Sequence, residues 1–178
     1  MTNKNLLKTI NNMVKVDQEA RFLDSPLDKI NVPMYAKRLV RTVDTAHNHQ
    51  IKEITREHGY PTKKLIGKNG MRSFWLLIQH QDFDIKLQKE CLRECNFGAQ
   101  EYAHLCDRIQ VNTGKLQVYG TQLNKPIGEI SEANIERQKL GLKSLESNLK
   151  EINKNVPPGY KKLKIKISKN GNAFYVKT

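Results

Sequence analysis

The sequence contains no apolar run that approaches the ~20 residues needed for a membrane-spanning helix. Its first residues, MTNKNLLKTINNMVKVDQEARF, also lack the unbroken apolar core and small-residue cleavage site of a secretory signal. We therefore expect a protein without a transmembrane segment that resides in the cytoplasm. Delivery as an effector by a signal of another kind stays open.

Cysteine is scarce in this chain. Cys91, Cys95 and Cys106 are too few and too odd in number for a disulfide framework. Cys91 and Cys95 would share one face of a helix, but a metal site would need further ligands. We interpret the three cysteines as small reduced residues of the core.

The common nucleotide-binding and catalytic fingerprints are missing. No GxxxxGK[ST], GxGxxG, HExxH or GxSxG motif occurs. Any functional site must therefore be inferred from polar residues scattered at the ends of predicted elements.

Positive charge is abundant. The 178 residues include 31 Lys+Arg and 18 Asp+Glu, which gives a net charge of +13, and 38% of the residues are hydrophobic. Such a surface attracts nucleic acid, anionic lipid or acidic protein, without identifying which of them binds. The length fits one domain, or one domain with a small appendage.

Apolar spacing predicts helices over most of the chain. The predicted helices cover about residues 5–22, 34–58, 71–78, 83–95, 99–107, 132–140 and 144–153. The apolar period changes to two near 109–122, which predicts an internal β-hairpin.

A second change of period follows VPPGY, where Leu163, Ile165 and Ile167 alternate with lysines. We predict a mainly α fold with minor β. A helical domain over 1–156 would contain the hairpin near 109–122, and a basic C-terminal hairpin over 157–178 would form an appendage.

The stretch WLLIQHQDFD passes from apolar residues directly into Gln79, His80 and Asp82. A buried amide or imidazole without a partner is unfavourable, so Gln79 and His80 need hydrogen-bond partners. If the helix continued, Asp84 would lie one turn after His80 and could orient its imidazole. His80 is then either a structural residue at a helix end or a general acid-base catalyst or metal ligand.

Asp44 and His47 lie one turn apart on the predicted second helix. A carboxylate and an imidazole can bind one metal ion, so these two residues and His80 are weak candidates for a metal site. Solvated or capping roles explain Asp44 and His47 equally well. The sequence does not identify a cofactor.

The segment DRIQVNTGKLQVYGTQ begins at Asp107 and Arg108, at the predicted end of a helix. Arg108 could clamp a phosphate or carboxylate, or it could pair with Asp107 and tie the predicted hairpin to the helix. Tyr119 and Gln122 offer a phenol and an amide, and Gly120 allows close approach of another group.

Several motifs occur in the order and approximate spacing of an uncharacterised bacterial family. They are GYP, the tryptophan-containing run into QHQD, Gln88, DRIQVNTGKLQVYGTQ and IERQKLGL. Over about residues 44–145 the chain resembles domain of unknown function sixty-six twenty-four (DUF6624). The resemblance supplies no activity, and it implies these family pattern positions: Gln79, His80, Asp82, Gln88, Asp107, Arg108, Gln117, Tyr119, Gly120, Thr121, Gln122 and Arg137.

Two classes of function are favoured, and a structural or inhibitory role also stays open. The first is an enzyme, hydrolase- or transferase-like, that acts on an anionic substrate and could serve as a toxin or effector with an RNA substrate. Its predicted catalytic residues are His80, Asp82, Asp107 and Tyr119, and its predicted substrate-binding residues are Gln79, Arg108, Gln122 and Arg137. The second is a non-enzymatic module that binds nucleic acid or an acidic protein through Lys162, Lys164 and Lys166.

Overall fold

The computed structural model describes residues 2–24, 34–123 and 125–178. The elements in these ranges are α1 (Lys4–Asp24), α2 (Met34–His58), α3 (Lys63–Gln79), α4 (Ile85–Glu94), α5 (Ala99–Asn112), α6 (Ile130–Lys139), α7 (Leu145–Lys154), β1 (Leu163–Ile167) and β2 (Ala173–Lys177). The predicted class, mainly α with minor β, is confirmed. None of the described helices combines the length and apolar character that crossing a bilayer requires.

The chain forms two compact units, Met1–Phe97 and Gly98–Thr178. In the first unit, α1 packs against α2 and α3. The contact face of α1 carries Leu6, Ile10 and Met13 at intervals of three and four residues, and all three are buried. This spacing is the one that places side chains on a single face of a helix.

A kink at Gly67 divides α3. Gly67 has φ 73 and ψ 171 within the helix, a backbone conformation that glycine adopts without steric cost. Before the kink, the Thr62 side chain caps the first turn by accepting from the Leu65 N–H at 3.2 Å. After it, Phe74, Leu77 and Ile78 are fully buried, whereas Trp75 and Leu76 of the same apolar run are half-buried.

The helix does not continue from α3 into α4. It ends at Gln79, His80 occupies the C-cap position, and Asp84 caps the next helix by accepting from the Leu87 N–H at 3.0 Å. The carboxylate of Asp84 also pairs with Lys52 Nζ at 2.7 Å. The alternative in which one continuous helix lets Asp84 orient the His80 imidazole therefore does not apply.

The predicted internal hairpin near 109–122 is also wrong. Helix α5 runs to Asn112, so Ile109 is a buried helical residue, and Asp107 and Arg108 lie inside the helix instead of at its end. Thr113 ends it by donating from Oγ1 to the Ile109 carbonyl at 2.8 Å. Among the described residues 115–123, strand-like backbone pairing is limited to one isolated bridge, between Gln117 and Ile127.

The C-terminal hairpin is present. Strands β1 and β2 are antiparallel, with Leu163 opposite Lys177 and Ile167 opposite Ala173. Ala173 also exchanges two backbone hydrogen bonds with Ile127, at 2.7 and 3.0 Å. Ala173 and Tyr175 thereby join the core of the second unit, together with Ile127, Ala133 and Leu145. The predicted domain boundary between residues 156 and 157 stays a prediction.

Candidate functional site

Four polar side chains of the first unit form a connected group, here named the histidine–carboxylate cluster: Asp17, Arg21, Asp44 and His80. His80 Nδ1 lies 2.9 Å from Asp17 Oδ1, and Arg21 Nε lies 3.1 Å from the same oxygen. Arg21 Nη2 donates to Asp44 Oδ1 at 2.5 Å. Asp17 is only 1% exposed, which makes it the buried centre of the cluster.

His80 Nδ1 lies between an acceptor, Asp17 Oδ1, and a donor, Arg21 Nε, so its hydrogen bonds depend on which ring nitrogen carries a proton. Arg21 Nε lies 2.9 Å from His80 Nδ1 as well as close to Asp17. If Nδ1 accepted from Arg21, its lone pair would face the lone pairs of a carboxylate oxygen at 2.9 Å. In the tautomer with Nδ1–H, His80 donates to Asp17, Arg21 Nε donates to Asp17 instead of to the ring, and Nε2 is the acceptor of the ring.

Burial and neighbouring charges act differently on the two carboxylates. Burial raises the pKa of Asp17, but the hydrogen bond and charge of His80 together with Arg21 outweigh burial and hold it below its ordinary value. For Asp44 burial dominates, so its pKa lies above the ordinary value despite Arg21. Asp17 and Asp82 raise it further. One guanidinium thus serves two carboxylates, and Asp17 has His80 and Gln18 as further partners.

A groove of about 410 Å³ lies between α1 and α2. His47 lines it, is only 4% exposed, and has a pKa lowered mainly by burial. Among the residues that the structure describes, none places a hydrogen-bonding group against His47 Nδ1. We name this feature the His47 groove, and its lining residues are Thr9, Asn12, Met13, Val16, Val43, Ala46, His47 and Gln50.

A second, positively charged groove of about 560 Å³ runs along α2. Arg38 and Arg41 are exposed there, and the groove shares Ala46 with the His47 groove. We name this feature the arginine face, and its lining residues are Arg38, Arg41, Thr42, Thr45, Ala46 and His49.

The three weak metal candidates have other surroundings. Asp44 is paired with Arg21, His80 with Asp17, and His47 lines its groove. Within residues 2–24, 34–123 and 125–178, no group of three or more His, Cys, Asp or Glu residues is arranged to hold a metal ion. In the cluster, the cation that the carboxylates bind is the guanidinium of Arg21.

In the second unit, the carboxylate of Asp107 organises the segment that follows α5. Asp107 is fully buried, and its Oδ1 accepts from the N–H groups of Val118 at 2.7 Å and Tyr119 at 2.9 Å. Its Oδ2 accepts from Thr121 twice, from N at 2.8 Å and from Oγ1 at 2.9 Å. These four hydrogen bonds use the lone pairs of both oxygens. The backbone N–H groups of this segment thus donate to the carboxylate of Asp107 instead of to a neighbouring strand.

Buried side chains hold the same segment from other directions. Arg137, 2% exposed, donates to the carbonyls of Tyr119 at 2.8 Å and Lys143 at 2.5 Å. Burial raises the pKa of Tyr119 to about 12, so the phenol is neutral at physiological pH. Gly120 has φ 67, and a Cβ there would lie 2.6 Å from Leu145 Cδ2, which confirms the predicted close approach. Gln122 Nε2 donates to the His104 carbonyl at 3.2 Å.

The predicted site residues are distributed over the two units. Gln79, His80 and Asp82 belong to the first unit, where Gln88 Nε2 contacts the Gln79 carbonyl oxygen and Asp82 Oδ1, both at 3.4 Å. The second unit holds the others: Asp107, Arg108, Tyr119, Gln122 and Arg137. The catalytic and substrate-binding roles of these residues stay predictions.

Sequence reasoning missed Asp17 and Arg21, the partners that His80 needed. A signal for Asp17 was present: it continues the apolar stripe of Leu6, Ile10 and Met13, and a carboxylate on such a stripe is rarely buried without a partner. Arg21 follows one turn later, where an (i, i+4) ion pair with Asp17 is expected.

The fold and the sites define a mainly helical protein with a C-terminal antiparallel hairpin and a buried histidine–carboxylate cluster. The chain belongs to DUF6624, a family of unknown function whose model matches residues 4–156. The match is longer than the resemblance over 44–145 and includes Asp17 and Arg21. Neither the curated proteins nor the solved structures contain a significant match to the chain.

Proposed function

We propose that this protein is an enzyme, of hydrolase or transferase type, in which His80 is the general base. One observation carries the proposal: His80 Nδ1 lies 2.9 Å from the carboxylate of Asp17, which is 1% exposed. A buried carboxylate that holds Nδ1–H fixes the tautomer and orientation of an imidazole and leaves Nε2 able to accept a proton.

The chemistry follows from this arrangement. His80 Nε2 removes a proton from a water molecule or a substrate hydroxyl, which attacks the substrate, and the imidazolium then returns the proton to the leaving group. The charge of Asp17 stabilises the imidazolium between these two steps. Arg21 keeps Asp17 in place by donating to the same oxygen that His80 contacts.

An anionic substrate agrees with the positive charge of the first unit. The arginine face lies on α2, the helix that also carries Asp44 of the histidine–carboxylate cluster. A cytoplasmic location suits the three cysteines, which are free thiols. If the substrate is RNA, the protein would act as a toxin or effector.

We assign structural roles to the second-unit residues. Asp107 is fully buried and accepts four hydrogen bonds, and Arg137 is 2% exposed and donates from Nε and Nη1 to backbone carbonyls, so we assign both residues to holding the backbone. Tyr119 and Gln122 lie on the segment that these two residues hold. The proposed catalytic machinery is thus smaller than the set that the sequence predicts.

The test compares His80→Asn and Asp17→Asn with the parent protein on a panel of phosphomonoesters, phosphodiesters, RNA and carboxylic esters. In His80→Asn, the introduced amide would preserve a donor toward Asp17 but remove the base at Nε2, so the rate should fall by about 10²- to 10⁴-fold. Asp17→Asn should also lower the rate, because it no longer selects the Nδ1–H tautomer.

His58→Asn is the matched control, since His58 is an exposed histidine at the end of α2. Its rate should equal that of the parent protein, and thermal unfolding should show that all variants fold. The proposal fails if the panel reveals an activity that His80→Asn leaves intact, or if the parent protein is inactive on every substrate.

The second candidate function is a binding module for nucleic acid or an acidic protein. Lys162, Lys164 and Lys166 are exposed and alternate along one face of the hairpin. Phe174, half-buried, lies opposite Lys166 in the register and thus on the same face. An aromatic ring among lysines suits contact with a single-stranded nucleic acid.

A further inference from the structure

Strand β1 is the outer strand of the C-terminal hairpin. On the far side of β2, Ala173 bonds to Ile127 through both its N–H and its C=O. Among the described strands, β1 pairs with β2 alone. An outer strand directs the N–H and C=O groups of alternate residues away from its sheet, where they can bond to another extended chain.

The register identifies the residues of β1 whose backbone groups are directed outward. Ile167 lies opposite Ala173, and because the backbone groups of Ala173 bond to Ile127 on the far side, this pair is of the non-hydrogen-bonded kind. The N–H and C=O of Ile167 are therefore directed away from β2. Such pairs alternate along an antiparallel ladder, so the backbone groups of Ile165 and Leu163 are directed outward as well.

The structure provides a partner for Leu163 and leaves the other two positions open. The side chain of Asn153 donates to the Leu163 carbonyl and accepts from the Leu163 N–H, each at 2.8 Å, as one residue of a further strand would. Within the part of the chain that the structure describes, no residue bonds to the outward groups of Ile165 or Ile167. Ile167 is 67% exposed, and its neighbour Lys166 is exposed too. We name the outward N–H and C=O groups of Ile165 and Ile167 the β1 edge.

The side chains beside the β1 edge indicate what kind of segment fits. Lys164 and Lys166 project from one face of the hairpin, and no Asp or Glu follows Glu151 in the sequence. Ile167 presents an apolar side chain on the other face. An added strand would place every second side chain next to the lysines and the others next to Ile167. Acidic residues alternating with apolar residues match both faces.

The same geometry disfavours two other occupants. In an antiparallel pair of two copies of this chain, the outward residues of both β1 strands would face each other, which would place Lys164 and Lys166 of each copy side by side. Like charges in such positions are destabilising, and lysine on an outer strand is a common obstacle to self-association. A nucleic acid could contact the lysines, but its backbone has no alternating N–H and C=O groups to match the β1 edge.

We propose that the β1 edge binds an extended acidic segment of another protein, which adds to the hairpin as a further strand. Backbone hydrogen bonds to Ile165 and Ile167 hold the segment, and its acidic side chains contact Lys164 and Lys166. The proposal does not involve His80. It rests on the second candidate function and names the class of partner for it.

The test is binding of synthetic peptides of about eight residues, the length of a strand, to the full chain. In one set Glu or Asp alternates with Val, Ile or Tyr, and control peptides have the same composition in shuffled order. Isothermal titration calorimetry should give at least one alternating peptide an affinity about tenfold or more above its control. That peptide should slow hydrogen exchange at the amides of Ile165 and Ile167, measured by NMR. The amides of Lys164 and Lys166, which are directed toward β2, are the internal reference.

Changes on both sides of the interface separate backbone pairing from charge. Ile167→Pro removes an outward N–H and spares the bonds between β1 and β2, so peptide affinity should fall about tenfold or more. Ile167→Val is its matched control and should bind as the parent chain does. N-methylation of one alternate set of peptide residues should abolish binding, and N-methylation of the other set should spare it, because only every second N–H faces β1. The methylated peptides test the pairing without altering the protein.

Lys164→Glu with Lys166→Glu tests the charge of the site. This variant should lose the acidic peptides and bind the corresponding peptides in which Lys replaces the acidic residues. Lys4→Glu with Lys8→Glu alters the net charge equally at exposed positions of α1 and should bind the acidic peptides as the parent chain does.

Three outcomes overturn the proposal: no alternating peptide binds, both N-methylated sets bind equally well, or single-stranded RNA binds through the lysines while no peptide does. The last result would keep the second candidate function in its nucleic-acid form and reject the β1 edge. None of these outcomes bears on His80, whose role is tested by the rates of its own variants.

Discussion

Two buried carboxylates, Asp17 and Asp107, show how the identity of the donor determines what an acid residue can do. Three backbone N–H groups and one hydroxyl donate to Asp107, so its position is fixed by a chain segment. The hydrogen-bond partners of Asp17 are side chains: Gln18, Arg21 and His80. A carboxylate of the first kind orders backbone, whereas one of the second kind orients a side chain that can carry protons.

Substitution of Asp107 by Asn should destabilise the second unit. The amide has the same size but replaces one acceptor oxygen by a donor, which would face N–H or O–H groups of residues 118–121. We expect the free energy of unfolding to fall by about 2–4 kcal/mol, since buried donors lose their acceptor. Urea denaturation monitored by circular dichroism measures the change.

Thr121→Val is the comparison for Asp107→Asn, because it removes one of the four hydrogen bonds to Asp107. It removes only the Oγ1 hydroxyl that donates to Asp107 Oδ2, so the expected loss is about 1 kcal/mol. An Asp107→Asn variant as stable as Thr121→Val would mean that the four hydrogen bonds do not organise this segment.

At the residue scale, the sequence predicts that His80 needs a hydrogen-bond partner but does not predict which residue provides it. The position of His80 after an apolar run indicates a polar group near the core, and this is where the structure has it. Its partner Asp17 comes from another helix, far earlier in the chain. Periodicity describes one helix at a time, and nothing in it specifies which faces of two helices meet.

At the scale of elements, 3.6-residue periodicity gave the bounds of some helices, whereas α3 begins at Lys63 and not near the predicted residue 71. The predicted second helix, about residues 34–58, agrees with α2 at both ends. The error at α5 arose because Ile109 and Val111 alternate with polar residues over too short a stretch to separate a helical turn from a strand. The segment after α5 is held by side-chain hydrogen bonds, which no hydrophobic period reveals.

The C-terminal hairpin offers a direct test of whether it is an appendage or part of a core. Tyr175 is 3% exposed, packs in the core of the second unit and donates from its hydroxyl to the Gly120 carbonyl at 3.0 Å. Tyr175→Ala should lower the free energy of unfolding by about 3–5 kcal/mol, and Tyr175→Phe, which loses only the hydroxyl, by about 1 kcal/mol. Chemical denaturation gives both values.

Tyr160 supplies the matched control for Tyr175, because it is a tyrosine of the same C-terminal region that is 74% exposed. Tyr160→Ala should change stability by less than about 0.5 kcal/mol. If Tyr175→Ala is equally mild, the hairpin is an appendage whose removal leaves the second unit intact.

At the scale of the whole molecule, the net charge of +13 predicts attraction to anionic partners. It does not show which surface of the protein binds them. The chain presents two separate positive surfaces, the arginine face and the hairpin lysines. The sequence indicated the lysines, which alternate along a short strand. The arginines on α2 were not singled out, because their groove becomes visible only with the helix in three dimensions.

Reversal of the hairpin charges tests the second candidate function. If the lysine face binds nucleic acid, Lys162→Glu, Lys164→Glu and Lys166→Glu combined should abolish the binding of single-stranded RNA. The parent protein should lose affinity steeply between about 50 and 200 mM salt, since binding releases counterions. Replacement of the three lysines by Gln should lower the magnitude of the slope of log affinity against log salt by about two. Fluorescence anisotropy measures both.

Arg38→Glu with Arg41→Glu is the comparison for the lysine variants, because it alters charge on α2 and spares the hairpin. RNA affinity that depends on these arginines and is indifferent to the three lysines would assign binding to the arginine face. Affinity insensitive to salt and to both sets of variants would reject the binding-module function.

Burial is the main reason why the pKa of Asp44 lies above its ordinary value. The ionised carboxylate therefore lowers the stability of the first unit, although it helps to hold Arg21 in place. Burial disfavours the ionised form of this carboxylate, and Asp44 shares Arg21 with Asp17. Laboratory evolution for heat resistance should accordingly find apolar replacements of Asp44 early. Each replacement would remove one of the two carboxylates that bind Arg21. Variants selected for thermal stability alone should therefore lose the arrangement that orients His80.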